Sequence, residues 1–329
     1  MSEHLPSVTI IIAARPEQAE IKAVDAARQL DYPPGLLEII VARGKQPSVQ
    51  RNAAITAARG EWIYFLDDDS VPPPHNLLRV APHFSNPAVK MIGGPNLCPP
   101  EAPSLEKVFA VVLASWLAFG PSRARYAAVG EVRASSEKEL ILCNLLARRA
   151  DTLELGGFNE ALYPNEENAL MDELQKRGGQ LIYDPQCTVH RRPRHSLRAF
   201  AKMLRTYGRG RAEQFRVTPT LGSAPNFVPP LFCLYLFTLV IFQLAALGKP
   251  LGLLKILSGA PLACYALAVL LQTLFSIPVY GFVRSFLALP LLVASHIFYG
   301  AGFWHGLFTK LRRGPQRSRF EVVLETVAR

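Results

Sequence analysis

Short apolar runs alternate with helix-like segments along the first 70 residues. Three runs, at residues 8–13, 37–41 and 62–66, are rich in β-branched or aromatic side chains, as buried strands are. Between them, residues 17–30 and 49–58 have the apolar spacing of helices. Strands that alternate with helices predict βαβ units and a parallel sheet. Ligands of such sheets bind beyond the carboxyl ends of the strands.

The middle of the chain continues this pattern less regularly. We expect further strands at residues 90–94, 140–146 and 180–184. A helix is expected at 104–120, and its apolar run Val108–Phe119 either belongs to the core or lies against a membrane. The pattern therefore predicts the α/β class for this part of the chain.

The last third has a different pattern, because long stretches of it carry no charge. Residues 220–309 contain no Asp or Glu and only three basic residues, Lys249, Lys255 and Arg284. Since a transmembrane helix needs about 20 apolar residues, this region has room for three. The predicted spans are 228–247, 257–276 and 286–305. His296 and His305 in the third span either satisfy packing or belong to a lipid-headgroup site.

Composition supports a membrane protein with one large globular domain. Of the 329 residues 50% are hydrophobic and only 19% are charged, whereas soluble domains carry about 25% charged residues. This excludes a disordered chain, a collagen, a disulfide scaffold and a purely soluble protein. The five cysteines show no CxxC spacing, which argues against a metal knuckle and suits a reducing compartment. No signal peptide is visible, so we expect the globular part in the cytoplasm.

The positive charge is concentrated in two segments. Residues 190–216 carry a net charge of +8, and residues 310–319 carry five basic residues and no acid, against +10 for the whole chain. Without aromatic interleaving, such runs fit anionic lipids better than nucleic acid, so no nucleic-acid partner is expected. The predicted organisation is a catalytic domain at 1–218 with the membrane-proximal segment 190–216, a transmembrane region at 219–309 and a basic tail at 310–329.

The acidic turn Asp67-Asp68-Asp69-Ser70 is the strongest chemical signal. Carboxylates crowded at the end of an apolar strand repel one another unless a cation lies between them. Oxygen ligands at this density suit Mg²⁺ or Mn²⁺, which also bind the phosphate oxygens of a substrate. A solvated acidic turn is the alternative, and the preceding strand Trp62–Leu66 argues against it.

A second acidic pair, Glu166-Glu167, lies about 100 residues later, at a predicted helix start. One carboxylate gains from the helix N-terminus while the other is free to act as a general base. Taken alone, the pair also fits ordinary helix capping.

Together these motifs resemble the family 2 glycosyltransferases of the GT-A fold, in particular membrane-attached members that build bacterial polysaccharides. The opening strand with Ala14-Arg15-Pro16-Glu17 is similar to the first nucleotide-binding loop of the family. Residues 51–55 and 60–70 resemble its run into the metal-binding motif, residues 144–160 its approach to the acceptor, and Tyr207–Arg211 its cationic motif. The resemblance implies a GT-A domain, with a Rossmann-like and mostly parallel sheet, followed by transmembrane helices.

The resemblance also assigns roles to individual residues. Glu167 would be the general base, with Glu166 beside it, although the choice between the two stays open. Metal ligands would be Asp67 and Asp69, with His190 as a further candidate. Donor-binding residues would be Ala14, Arg15, Glu17, Arg43, Arg51, Asp67, Asp68, Arg209 and Arg211. Residues on the acceptor side would be Gly94, Asn144 and Gly157.

The implied mechanism needs one base and one Lewis acid. A divalent cation, Mg²⁺ or Mn²⁺, would neutralise the nucleotide diphosphate leaving group, and Arg209 or Arg211 would add fixed positive charge. Glu167 would take the acceptor proton while the acceptor oxygen attacks the anomeric carbon from the opposite face, which inverts it.

Three departures from the family pattern refine this expectation. The second strand is followed by Ala42-Arg43-Gly44-Lys45, where the family has acids that help to recognise the base. The acidic pair ends in Glu rather than Asp. No Gln-x-x-Arg-Trp motif occurs, and three spans are few for a polymer channel, which argues against a processive synthase.

The sequence thus predicts a multi-pass protein of the bacterial inner membrane with a cytoplasmic catalytic domain. Its partners would be a nucleotide-sugar donor, a lipid-linked glycan acceptor and membrane lipids. One alternative is a polyprenyl-phosphate glycosyltransferase, and another is a catalytically silent nucleotide-sugar-binding subunit of a polysaccharide complex. Three full crossings would place the basic tail outside, against the positive-inside tendency. We therefore expect one segment, with the third span as candidate, to be re-entrant or interfacial.

Overall fold

The computed structural model describes residues 5–162, 166–217, 219, 221–248, 250, 252–310 and 321–328. The chain divides into two compact units. The first contains the described residues of 1–101, 121–192 and 312–329, and the second those of 102–120 and 193–311. The domain boundary that the sequence suggests between residues 218 and 219 stays a prediction.

The first unit is built on strands that alternate with short helices. Its strands are β1 (Val8–Ala14), β2 (Leu37–Arg43), β3 (Trp62–Asp67), β4 (Val89–Gly93), β5 (Asn96–Leu97), β6 (Arg133–Ser135), β7 (Asn144–Arg148), β8 (Gln180–Tyr183), β9 (Val189–His190) and β10 (Val323–Val327). Its helices are α1 (Lys22–Arg28), α2 (Pro47–Ala57), α3 (Asn76–Val80), α6 (Arg149–Glu154) and α7 (Glu166–Lys176), where α4 and α5 denote helices of the second unit.

Eight strands form one sheet in the order β10-β2-β1-β3-β7-β4-β8-β6. The parallel centre β2-β1-β3 is the one predicted from the βαβ pattern. On one side β7 pairs antiparallel with β3 and β4, and on the other β10 pairs antiparallel with β2. The expected α/β fold class is confirmed, and the antiparallel strands extend it beyond the predicted parallel part.

Both faces of the sheet are covered by apolar packing. One face carries Ile10, Ile12, Val41 and Trp62, and the other carries residues such as Ile11 and Phe65. Because side chains alternate between the faces of a strand, a central strand buried on both sides must be apolar throughout. This explains why Ile10-Ile11-Ile12 is uninterrupted and why polar side chains begin only where the strands end.

The second unit is helical. Its helices are α4 (Ser104–Leu113), α5 (Trp116–Phe119), α8 (Leu197–Val217), α9 (Val228–Ala245), α10 (Gly252–Tyr280) and α11 (Phe282–Phe308). Three stretches are long and apolar enough to cross a membrane: Gly222–Ala245, Gly252–Tyr280 and Phe282–Phe308. They coincide with the three predicted spans and exceed each of them in length. A fourth candidate, residues 104–113 with 116–125, is bent by 59°.

Several predicted boundaries move in the structure. The strand expected at 140–146 begins at Asn144 and runs to Arg148. The helix expected at 104–120 is broken after Leu113, and the basic segment 190–216 is largely the helix α8. The predicted tail contains β10, while its basic residues 311–319 lie outside the described residues. All five cysteines are free thiols.

Candidate active site

The candidate site begins at the carboxyl edge of the parallel strands. Asp67 ends β3 and lies opposite Ala13 of β1, while Ala14 lies opposite Arg43 at the end of β2. The residues within these strands are buried and apolar, and the polar side chains begin where the strands end. Ser70 closes the acidic turn, because its amide donates to the carbonyl of Asp67 at 3.0 Å and its hydroxyl donates to the carbonyl of Cys143 at 3.2 Å.

Arg51 connects the two acidic motifs of the sequence. It lies on α2, and its guanidinium donates from Nη2 to Oδ1 of Asp67 at 2.9 Å. Its Nη1 reaches Oε1 of Glu166 at 3.5 Å. The side chain is almost fully buried, so the cation is held between two carboxylates with little water. Arg51 therefore brings together two motifs that lie about 100 residues apart in sequence.

Arg191 is the second cation at the acidic turn, and its role was missed in the sequence. Its Nη1 lies 3.0 Å from Oδ2 of Asp67, and its Nε pairs with Oδ1 of Asp69. The residue follows β9, whose His190 exchanges backbone hydrogen bonds with Val71 at 2.9 and 3.0 Å. This bridge places Arg191 beside the acidic turn. The only sequence signal was its position in the basic run, which we attributed to lipid.

Glu166 and Glu167 begin α7 in different surroundings. Glu166 is 2% exposed, and its Oε1 lies 3.5 Å from Nη1 of Arg51. Burial, together with the adjacent charge of Glu167, raises the pKa of Glu166 to about 7 against the opposing effect of Arg51. Glu167 is only partly buried, and its Oε1 accepts from Nδ2 of Asn168 at 3.5 Å. The more accessible carboxylate is therefore that of Glu167.

The donor set at the turn fits a divalent cation that shares its coordination with a substrate. Among the described residues, no three His, Cys, Asp or Glu side chains lie close enough together to bind a metal by themselves. Asp67 and Asp69 offer two carboxylates on one turn, and Mg²⁺ or Mn²⁺ commonly takes the remaining ligands from phosphate and water. Asp68 contributes a backbone contact, since its carbonyl accepts from the amide of Ala23 at 3.1 Å.

The loop after β1 is tied to the ends of the neighbouring strands. Arg43 donates from Nη1 to the carbonyls of Gln18 at 2.7 Å and Arg15 at 3.3 Å. Gln50 on α2 donates to the carbonyls of Ala14 and Ala42 at 2.7 and 2.6 Å. Gln50 is a further residue that the sequence gave no reason to select. Arg15 and Glu17 lie in this loop, and their side chains are exposed.

Two residues expected on the acceptor side are parts of the buried framework. Asn144 is fully buried, accepts from the hydroxyl of Tyr64 at 2.7 Å and donates to the carbonyl of Cys187 at 2.6 Å. At Gly94 a Cβ atom would overlap the carbonyl oxygens of Asp184 and Cys187. Both residues hold the segments behind the acidic turn in place.

Gly157 has a structural reason to be glycine. Its φ is +78°, and a Cβ atom would overlap the Oδ1 of Asn52. Asn52 donates to the carbonyl of Phe158 at 2.9 Å and accepts from its amide at 2.8 Å. The motif that resembles the family's approach to the acceptor thus forms a turn, and Asn52 of α2 holds this turn in place.

Arg209 and Arg211 lie on α8 of the second unit. Arg209 forms an ion pair with Glu213 at 3.3 Å, and Arg211 donates to Oε1 of Gln214 at 3.1 Å. Their proposed contact with the donor diphosphate stays a prediction.

A comparison with protein families matches part of the chain. Residues 20–106, about a quarter of the chain, match the family model described as "Glycosyl transferase family 2". This stretch includes the acidic turn and Arg51. No curated protein matches the sequence significantly.

The similar solved structures are distant in sequence. A mannosyltransferase from Pyrobaculum calidifontis, PcManGT in complex with GDP-Man and Mn²⁺, has 17% identity and a TM-score of 0.49, covering 89% of this chain and 87% of its own. TarS residues 1–349 from S. aureus in complex with UDP-GlcNAc has 11% identity and a TM-score of 0.43, covering 67% of this chain and 78% of its own. The same fragment in complex with UDP has 12% identity and a TM-score of 0.43, covering 92% and 90%.

Proposed function

We propose that this chain, whose residues 20–106 match the family 2 glycosyltransferase model, is a glycosyltransferase of the GT-A fold that transfers one sugar from a nucleotide-sugar donor to a lipid-linked glycan. The reaction would invert the anomeric carbon, depend on a divalent cation and add a single residue rather than extrude a polymer. Its place would be cell-surface polysaccharide synthesis at the bacterial inner membrane.

The proposal depends chiefly on the bridge that Arg51 makes between Asp67 and Glu166. A group transfer needs the leaving group and the incoming nucleophile on opposite sides of one carbon, each with its own charged support. The acidic turn supplies oxygen ligands for the donor side, and the start of α7 supplies carboxylates for the acceptor side. One buried guanidinium holds the two at a fixed separation.

The residues divide the chemistry between them. A divalent cation bound by Asp67 and Asp69 would supply Lewis-acid stabilisation of the departing diphosphate. Glu167, the accessible carboxylate, accepts the proton of the acceptor hydroxyl. Glu166, buried and paired with Arg51, positions the first turn of α7 rather than meeting the acceptor. The framework from Asn52 and Gly157 fixes the loop that precedes α7.

The second unit supports a lipid-linked acceptor. Three of its helices are long and apolar enough to cross a membrane. An enzyme with such helices works where its acceptor is anchored, since both are then confined to one surface. The basic helix α8 adds attraction for anionic headgroups.

The decisive experiment is a donor screen on the purified full-length protein in detergent with lipid extracts as acceptors. Release of UDP, GDP, dTDP and CMP would be measured with Mn²⁺, with Mg²⁺ and with EDTA. We expect one nucleotide to be released, only with metal, and the sugar to appear on a lipid-linked glycan. Transfer to polyprenyl phosphate alone would contradict the acceptor class, and full turnover in EDTA would contradict the role of Asp67 and Asp69.

A further inference from the structure

Arg191 occupies the space between two carboxylates of the acidic turn. It binds Oδ2 of Asp67 through Nη1 at 3.0 Å and Oδ1 of Asp69 through Nε. The other oxygen of Asp67 accepts from Arg51 at 2.9 Å. The carboxylates of Asp67 and Asp69 are therefore paired with this chain's own cations.

A guanidinium and a divalent cation compete for such a position. Both would bind the same two carboxylates, and like charges within about 4 Å of each other repel strongly in a poorly solvated site. Arginine stays charged at any accessible pH, so it cannot relieve this repulsion by losing its proton. Arg191 must leave Asp67 and Asp69 before a metal ion can bind both.

We propose that Arg191 holds the cation position of the resting enzyme and exchanges it for the donor diphosphate. A diphosphate offers the guanidinium a new bidentate anion, the geometry that arginine recognises best. Metal and diphosphate then bind as a pair, and Arg191 adds fixed positive charge to the leaving group. This inference rests on the proposed function, because it takes the acidic turn as the donor site.

The position of Arg191 in the fold supports such an exchange. The backbone of Arg191 is fixed, since His190 pairs with Val71 and the amide of Arg191 donates to the carbonyl of Leu97 at 3.0 Å. The side chain is about a quarter exposed, so it has an opening to solvent on one side. A fixed backbone with a long, partly accessible side chain can change partner without moving a strand.

The test is Mn²⁺ binding, followed by the loss of the free-ion EPR signal, for the wild-type protein and Arg191→Met. With Mn²⁺ alone we expect the variant to bind at least about tenfold more tightly, because the competing cation is gone. The matched control is Arg177→Met, which removes the same charge from an exposed pair with Glu154 and Glu173. It should bind Mn²⁺ as the wild type does.

A second titration contains UDP or GDP, each corrected by a protein-free titration. The nucleotide that binds should raise the Mn²⁺ affinity of the wild type several-fold, and this increase should be much smaller in Arg191→Met. Equal Mn²⁺ affinity of the two proteins without nucleotide would overturn the proposal. If Arg191→Met does not fold, Arg191→Lys, whose single nitrogen cannot reproduce the separate Nε and Nη1 contacts, should tighten Mn²⁺ binding about threefold, and no change would again overturn the proposal.

The outcomes separate this inference from the proposed function. Metal-dependent turnover with unchanged Mn²⁺ affinity in the variant would remove only the role of Arg191. Turnover in EDTA, with no Mn²⁺ binding by the wild type in either titration, would remove the metal assignment itself.

A separate observation concerns the C-terminal strand. β10 pairs antiparallel with β2, and Val323 lies opposite Arg43. Glu325 accepts from Nε of Arg43 at 2.7 Å, while Nη1 of the same arginine donates to the carbonyls of Gln18 and Arg15. A carboxylate from the end of the chain thus reaches the loop after β1 through one guanidinium.

We infer that Glu325 is a positioning residue for the donor loop that follows β1. The end of β2, Arg43-Gly44-Lys45, has no acid of its own, and β10 supplies one from the other end of the sequence. Without that acid the guanidinium keeps its carbonyl partners but loses the group that fixes its orientation. This inference also rests on the proposed function, which assigns the loop to the donor.

Steady-state kinetics of Glu325→Gln test it with the donor found in the screen. We expect the KM for the donor to rise about two- to fivefold, as for the loss of a partly exposed ion pair, with kcat nearly unchanged. Glu321→Gln, an exposed acid just before the strand, is the control and should change neither constant. An unchanged KM, or equal losses in kcat and thermal stability, would refute a positioning role. A wild type that turns over no donor would refute the proposed function instead.

Discussion

Two adjacent glutamates at the start of α7 differ in exposure, partners and proton affinity. Glu166 is buried beside Arg51 with a raised pKa, whereas Glu167 is partly open and contacts Asn168. Sequence position alone makes them equivalent acids. These different surroundings support the proposal that Glu166 belongs to the framework and that Glu167 acts on the acceptor.

Glu167→Gln should lower kcat by about 10²–10⁴-fold, the usual contribution of a positioned general base. The donor KM should change little, since the side chain does not contact the acidic turn. Release of the nucleotide with the lipid-linked acceptor is the measurement. Glu173→Gln on the same helix is the control. A variant that keeps most of its turnover would shift the base to Glu166 or the acceptor to a phosphate.

Glu166→Gln should stabilise the folded protein above neutral pH. The pKa of Glu166 is about 7 when folded and near 4.5 when unfolded, so its contribution to stability is fully present below pH 4.5 and lost as the pH rises through 7. Glutamine resembles the protonated acid at all pH values. The variant should therefore match the wild type at pH 4 and exceed its free energy of unfolding by about 2–3 kcal/mol at pH 8.

Thermal unfolding of both proteins in detergent between pH 4 and pH 8 checks this. The difference in melting temperature should grow with pH and level off above pH 7. A difference that is the same at every pH would show that Glu166 does not titrate abnormally in the folded state.

At the scale of elements, α2 organises the site with three consecutive residues. Gln50 reaches the carbonyls that end β1 and β2, Arg51 reaches the two acidic motifs, and Asn52 reaches Phe158. All three side chains are buried polar groups, whose partners must be supplied by the fold. A single helix therefore sets the separation of the strand ends, the acidic turn and the loop at Phe158.

In the second unit, α8 and α11 approach each other through glycines. A Cβ atom on Gly208 would overlap the carbonyl of Tyr299, and one on Gly302 would overlap the carbonyl of Arg205. Gly306, four residues after Gly302, is equally close to α8, because a Cβ atom there would overlap the carbonyl of Arg209. Small residues at this spacing let helix backbones pack closely.

Gly302→Ala should destabilise the protein by about 1–3 kcal/mol, because backbone on the facing helix cannot move aside as a side chain can. Gly259→Ala on α10 is the matched control, since a Cβ there meets nothing within 4 Å. The control should be neutral or slightly stabilising, as alanine favours helices. Melting temperatures in detergent compare the two. Equal melting temperatures of the two variants would contradict close packing at Gly302.

At the scale of the molecule, the pairing of β10 constrains the path through the membrane. The chain leaves the first unit after residue 192, passes through three apolar helices and returns to the same sheet at β10. A sheet cannot have strands on both sides of a bilayer, because open edges are not tolerated in lipid. The number of complete crossings between residues 193 and 311 must therefore be even.

Three complete crossings are incompatible with this pairing, so we predict that one of the three candidates does not cross completely. Of the three candidates, Phe282–Phe308 is the most enclosed by neighbouring protein, which favours it as the incomplete one. Both ring nitrogens of its His296 are hydrogen-bonded, to the hydroxyl of Tyr265 and the carbonyl of Leu117, each at 2.9 Å. Those contacts support the packing alternative for this histidine.

Reporter fusions at the two ends of the chain test the parity. Green fluorescent protein and alkaline phosphatase, each attached before Met1 or after Arg329, are active on opposite sides of a bacterial inner membrane. We expect the N-terminal and C-terminal fusions to report the same side. Opposite sides would contradict the pairing of β10 with β2 in the membrane-bound protein.

The sequence by itself determined the parallel centre of the sheet, the acidic turn at its edge and the three apolar helices. Each depends on local periodicity or on the composition of a continuous segment, so it can be read without knowing what lies nearby. Asp67 follows a strand whose apolar residues predict burial, and 90 residues without Asp or Glu predict lipid or a greasy interior.

Only the tertiary structure decided which side chains meet. Arg191 reaches Asp69 across 122 residues, and Glu325 reaches Arg43 across 282. Nothing local distinguishes these residues from other surface charges, because an ion pair depends on the register of distant strands. For the same reason Asn144 and Gly94 fitted the acceptor motif in sequence, whereas the fold uses them to pack the segments behind the site.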